Sequence, residues 1–154
     1  MIGKKDIDKF YNSKTIAVIG ASRNKRKYGN MLFAELQKKG FNVIPVNPNT
    51  KEINGKQAYS SIKDIKENVD AAIIIVSSAQ QEKVARECVE KGIKQIWMHE
   101  HIMKGVTNPL ALAVVANSGA TLITGFCPFM FMPATGFPHN LHRAILGLFG
   151  ALPK

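Results

Sequence analysis

Cysteine is nearly absent from this chain of 154 residues: Cys88 and Cys127 lie far apart, and neither belongs to a Cys-x-x-Cys pair. That excludes a disulfide framework and gives no support to a structural zinc site. No uninterrupted apolar run reaches the roughly 18 residues that a membrane-spanning helix needs. The amino terminus, Met1 to Asp6, is charged and no long apolar stretch follows it, so no secretory signal is read and a cytoplasmic protein is expected. Acid is scarce too, with 11 Asp and Glu against 21 Lys and Arg, a formal net charge of +10. Such a surplus suits either a nucleic-acid binder or the holder of a polyanionic small ligand.

What is present is the composition of one globular domain with a real core, 45% apolar and 21% charged. Most lysines, such as Lys38, Lys39, Lys63 and Lys66, are scattered as on solvated helix faces. The one dense cluster, Arg23, Lys25, Arg26 and Lys27, falls in a turn bounded by Gly20 and Gly29. Neither an RNA-binding aromatic signature nor a helix-turn-helix pattern accompanies it.

Strand and helix patterns alternate along the chain. Short apolar runs at 15–19, 41–46, 70–76, 95–98 and 120–124 read as buried parallel strands, with 70–76 the most hydrophobic and central. Helical spacing covers 29–39, 79–91 and 108–117, and a short helical turn fits 59–65. The expected fold is α/β, a Rossmann-like three-layer sandwich with a parallel sheet of about five strands. Residues 1–126 form this unit. Residues 127–154 read as an apolar extension ending in a helix that starts near Pro138 and shares a face of Leu141, Ile145, Leu148 and Phe149. Packing plus homodimerisation is the expected use of that face; attachment to a membrane surface through Arg143 and Lys154 is the weakest reading.

In an open α/β sheet the ligand lies beyond the carboxyl ends of the strands. Gly20 lets the chain turn sharply and lets backbone approach a phosphate, and Ala21, Ser22 and Arg23 follow it. Ser22 offers a hydroxyl, Arg23 a bidentate cation, and the helix opening near Tyr28 and Gly29 its amides. The spacing is not the dinucleotide Gly-x-Gly-x-x-Gly. At the end of the second strand, where NAD-binding domains place an acid for the ribose, stand Val46, Asn47 and Pro48, with Lys51 close by. A neutral-to-basic loop suits a ribose that itself carries a phosphate, as in NADP or coenzyme A.

The combination of Ala17-Val-Ile-Gly-Ala-Ser-Arg23, Gly29, Val43-Ile-Pro-Val-Asn-Pro48, Ile53-Asn-Gly55, Tyr59, Ser61, Val69-Asp70, Ile96-Trp-Met98 and Cys127-Pro128 resembles the stand-alone CoA-binding domain proteins. These are similar to the N-terminal CoA-binding domain of the succinyl-CoA synthetase α subunit. The resemblance covers roughly residues 10 to 128. It implies that Gly20–Arg23, with Lys25, Arg26, Tyr28 and Gly29 of the same loop, meets the CoA phosphates. Asn47, Pro48 and Lys51 would flank the ribose 3′-phosphate, and Val76, Ser77 and Ser78 the adenine. The synthetase's phosphate-carrying histidine belongs to a second domain for which this sequence has no counterpart, so the resemblance implies binding rather than ligase chemistry.

No Ser-His-Asp or paired-carboxylate arrangement can be assembled. His99, Glu100 and His101 follow the fourth strand, and a metal site there would need His139 or His142 to fold back; lining or surface histidines are the default. Cys127 near the ligand edge has two readings, a mixed disulfide with the thiol of CoA or a buried structural cysteine. Cys88 reads as core. The expectation is a module that binds coenzyme A or acyl-CoA as a non-catalytic carrier, sensor or partner. An NADP-dependent oxidoreductase and a basic nucleic-acid binder are the alternatives.

Overall fold

The structure, a computed structural model, describes residues 2–99 and 107–133. Eight residues, Lys4–Tyr11, form α1, whose Ile7, Phe10 and Tyr11 recur at helical spacing and are buried. Strand β1 (Thr15–Ile19) leads into α2 (Tyr28–Lys38) and β2 (Asn42–Val46). A small hairpin follows, β3 (Glu52–Ile53) and β4 (Lys56–Gln57), and then a 3-10 turn at Ile62–Asp64. The second half runs β5 (Ala71–Ile74), α3 (Ser78–Glu90), β6 (Gln95–Met98), α4 (Pro109–Ala116) and β7 (Thr121–Ile123).

The five long-range strands pair in the order β2-β1-β5-β6-β7, all parallel. This is the parallel α/β, Rossmann-like sheet expected, with β5 at its centre. Side chains alternate across it as the pleat requires. Ile16, Val18, Ile73 and Trp97 face α1 and α2, while Ala17, Ile19, Ile74 and Met98 face α3 and α4. Both faces are covered, which is why the strands read as continuous apolar runs. Removing a side chain such as Ile73 or Leu32 from water contributes about 2 kcal/mol each.

Two elements were not read from sequence. Helix α1 packs Phe10 edge-on against Trp97, ring centroids 5.2 Å apart. The β3–β4 hairpin turns at Asn54-Gly55, both with positive φ (49° and 77°), the two-residue turn that matches strand twist. The expected helical turn at 59–65 is the shorter 3-10 turn, capped by Ser61, whose Oγ accepts from the Lys63 amide.

Residues 126–132 pack largely on the α1 side. Phe129, Met130 and Met132 are buried, Tyr11 donates its hydroxyl to the Pro128 carbonyl at 2.6 Å, and the Trp97 indole donates to the Phe126 carbonyl at 3.0 Å. The final helix expected from the sequence, with Pro138, Leu141, Ile145, Leu148 and Phe149, falls on residues outside the described ones, as do Arg143 and Lys154. Among the described residues no helix is long and apolar enough to cross a membrane.

Burial gives this core a pH signature. The Cys88 thiol is pushed up from 9.0 to about 12, by desolvation first and the Glu87 charge second. Tyr11 and Tyr28 are raised above their ordinary 10.0, again by burial first and then by Cys127. In each case the unfolded chain loses its proton at a lower pH than the folded one. Stability is therefore complete below about pH 9 and falls as pH rises, toward 12 for Cys88 and from 10 upward for the tyrosines, by about 1.4 kcal/mol per pH unit and group. Urea midpoints should drop across this window, and Cys88→Ala should remove the first part of the slope. A midpoint that stays level there would contradict the burial of these groups.

Candidate functional site

The chain leaves β1 toward β2 on one side and returns to β5 on the other, so the order of strands reverses between β1 and β5. A crevice opens at such a point, beyond the carboxyl ends of the strands. Here it is a cavity of about 590 Å³.

The turn after β1 forms one wall. Gly20 has φ +98°, and a Cβ there would stand 2.3 Å from the Ile75 carbonyl oxygen at the end of β5. Gly29, in the first turn of α2, lies so close to the Gly20 carbonyl that a Cβ would be 2.2 Å from it. Glycine is thus required at both positions, once for conformation and contact, once for contact alone. Between them the loop holds its own shape. Ser22 Oγ accepts from the Asn24 amide at 3.1 Å, Asn24 Oδ1 accepts from the Arg26 amide at 2.9 Å, and the Lys27 amide donates to the Asn24 carbonyl. The backbone N–H groups of Ala21, Ser22 and Arg23 make no hydrogen bond among the described residues. Arg26 and Lys27 also line the cavity. Free amides with two cations beside them have the chemistry to hold an anion.

Opposite stand Ile75, Val76, Ser77 and Ser78, where β5 passes into α3, together with Gln81 one turn on. Gln81 is buried, and its Oε1 accepts from the Asn108 amide at 2.8 Å, tying the start of α4 to this wall. The third side is aromatic. The rings of Tyr28 and His99 are stacked, centroids 4.2 Å apart and 5° from parallel, and Phe129 meets Tyr28 edge-on. The Tyr28 hydroxyl shares a 3.4 Å contact with Cys127 Sγ, and burial, followed by that sulfur, raises its pKa.

Of the residues singled out in the sequence, Gly20, Ala21, Ser22, Arg26, Tyr28, Gly29, Asn47, Val76, Ser77 and Ser78 line this cavity. Arg23, Lys25, Pro48 and Lys51 are exposed nearby in the chain and do not line it. Asn47 has its amide occupied within the protein: Nδ2 donates to the Ala21 carbonyl at 2.7 Å and Oδ1 accepts from the Asn49 amide. Ile75 and Gln81 were not anticipated. Gln81 was detectable as the residue one turn into a helix that opens at the ligand edge. Lys27 belongs to the cationic cluster, and His99 was weighed as a lining residue. Cys127 is half-buried and is not among the lining residues. Glu100, His101, His139 and His142 lie outside the described residues. Among the described residues no three His, Cys, Asp or Glu side chains converge as metal ligands.

Comparison with known proteins decides the family. Residues 14–133 match the family model described as a CoA binding domain. The chain belongs to this family of CoA-binding domains. This CoA-binding domain is 32% identical over 115 residues to YneT of Bacillus subtilis, covering 75% of this chain and 82% of that protein. It is 42% identical over 91 residues to the ADP-forming acetate–CoA ligase II subunit alpha of Pyrococcus furiosus, covering 58% of this chain but only 20% of the ligase subunit. The chain thus spans about a fifth of the length of that relative. Among solved structures, a conserved hypothetical protein from Pyrococcus furiosus superposes with a TM-score of 0.66 at 35% identity, covering 74% of this chain and 95% of that one. A protein from Pyrococcus horikoshii OT3 superposes with a TM-score of 0.78 over 87% of this CoA-binding domain and 92% of its own chain; at 23% identity it shows the fold alone.

Proposed function

We propose that this chain binds coenzyme A or an acyl-CoA in the cavity at the β1–β5 crevice, gripping the 3′-phospho-ADP moiety. It serves as a non-catalytic carrier, sensor or partner module in the cytoplasm. One observation carries the reading: Ala21 and Ser22, whose amides have no partner among the described residues, line the crevice of a CoA-binding domain together with Arg26 and Lys27, and the unpartnered Arg23 amide follows them in the same turn. The diphosphate meets the turn from Gly20 to Gly29, including Ala21, Ser22 and Arg23, with Lys25 adding charge. Adenine lies against Val76, Ser77 and Ser78. The ribose 3′-phosphate lies toward Asn47, Pro48 and Lys51, where an NAD-binding domain would carry an acid instead. A homodimer belongs to the same proposal.

Calorimetric titration tests the reading. Coenzyme A should bind about tenfold more tightly than 3′-dephospho-CoA, the share of one charge-assisted contact. Equal or weaker binding of coenzyme A would remove the role given to Lys51. Tighter binding of NADP than of coenzyme A would replace the carrier with an oxidoreductase. Strong oligonucleotide binding with a steep salt slope and no CoA binding would replace both.

A further inference from the structure

The amides of the phosphate turn are free only because the carbonyls of the same peptides are not. A trans peptide points its C=O and the following N–H in opposite directions, so fixing a carbonyl aims the next amide. Three successive carbonyls are fixed here. That of Gly20 stands against Gly29, its oxygen 2.2 Å from where a Cβ on that residue would lie. That of Ala21 accepts from Asn47 Nδ2 at 2.7 Å, and that of Ser22 accepts from Asn30 Nδ2. The three amides that follow these carbonyls, Ala21, Ser22 and Arg23, have no partner among the described residues, as is also true of the Lys25 amide further along the turn.

The two asparagines come from separate elements. Asn47 directly follows β2, and its own Oδ1 is held by the Asn49 amide, which fixes which end of the side chain donates. Asn30 lies in the first turn of α2, is 3% exposed, and also reaches Asn54 Oδ1 at 3.3 Å in the left-handed turn of the hairpin. Without these donors the carbonyls of residues 21 and 22 would be unsatisfied, and rotation of either peptide would present an oxygen to the ligand where an amide now stands.

We infer that Asn30 and Asn47 are positioning residues. By holding the Ser22 and Ala21 carbonyls they set the turn as a donor of three amides and so select a diphosphate. The inference rests on the proposed nucleotide site and adds what gives that site its sign.

The test compares 3′-phospho-ADP with adenosine 3′-monophosphate, which lacks the 5′-diphosphate, on the wild-type chain and on Asn30→Ala, and ADP with adenosine on the wild-type chain and on Asn47→Ala. Asn30→Ala should bind 3′-phospho-ADP about tenfold more weakly while its affinity for adenosine 3′-monophosphate stays within about twofold. For Asn47→Ala, whose side chain stands toward the 3′-phosphate, the pair is ADP, weakened about tenfold, and adenosine, within about twofold. A merely structural role would weaken both ligands of a pair alike and leave their ratio unchanged, and that result overturns the inference. Variants that bind both ligands as the wild type does overturn it too. A wild-type chain that binds none of these ligands overturns the site itself, and the inference with it. Circular dichroism establishes that each variant is folded; should Asn47→Ala fail to fold, Asn47→Ser and Asn30→Ala carry the comparison.

Discussion

Gly20→Ala should melt about 6–12 °C below the wild type and lose coenzyme A binding, a cost of about 3 kcal/mol or more. The substitution meets two obstacles together. At φ +98° an L side chain is strained whatever surrounds it, and the new Cβ would stand 2.3 Å from the oxygen and 2.8 Å from the carbon of the Ile75 carbonyl. Neither neighbour is a flexible side-chain tip; both are backbone of the strand end beside the cavity. Relief requires β1 and β5 to part at the point where the ligand crevice forms, so stability and binding fall together. Gly29→Ala isolates the second kind of obstacle. Its backbone is helical, where alanine is favoured by about 1 kcal/mol, yet the Gly20 carbonyl oxygen only 2.2 Å away should reverse that gain. Thermal melts and CoA titration of both variants check this. A Gly20→Ala chain as stable as the wild type would show that the turn does not take this course.

Trp97→Ala should cost about 4 kcal/mol, lowering the melting temperature by about 8–16 °C. The indole is fully buried in the sheet, meets Phe10 edge-on, lies 5.9 Å from Tyr11 between centroids, and donates to the Phe126 carbonyl. Removing it opens a large void and leaves a carbonyl unpaired, so hydrogen exchange should quicken over residues 126–132 beyond the global change. Trp97→Phe keeps most of the bulk and loses only the donor; about 1–2 kcal/mol is expected, again with faster exchange in that segment. Equal exchange there in all three proteins would mean that the segment is held by its own buried side chains, Phe129, Met130 and Met132, rather than by the indole.

The sheet could be read from sequence because burial on both faces writes apolar runs such as Asp70–Val76, and glycines punctuate the turns. Helix α1 escaped because only Ile7, Phe10 and Tyr11 mark its inner face among eight mostly charged or polar residues. The β3–β4 hairpin escaped because two-residue strands carry no periodicity, although Asn54-Gly55 was a usable sign of a turn. At the site, the Gly20–Gly29 loop was legible from glycine and charge together. What each cation does was not, since Arg23 and Arg26 are alike in sequence and only the course of the loop brings Arg26 and Lys27 to the cavity. The role of Asn47 was hidden for a related reason: its partner, Ala21, is 26 residues away, and a side chain that bonds backbone carries no mark of that in its own type.

The strand order has a kinetic consequence. Every pairing in the five-stranded sheet is parallel and joins residues distant in the chain, as Ile16 joins Ala71 across 55 positions. Closing loops of that length precedes any gain from the contacts, so assembly belongs with the slower, non-local class of small domains. The turn opened by Gly20 is shaped by both partners of that pairing, with Gly20 just after β1 set against Ile75 just beyond β5. Any species that has collapsed without joining β1 to β5 therefore lacks the crevice. Ligand added during refolding should leave the folding rate unchanged and slow only unfolding, because it can recognise the chain only after its slowest step is over.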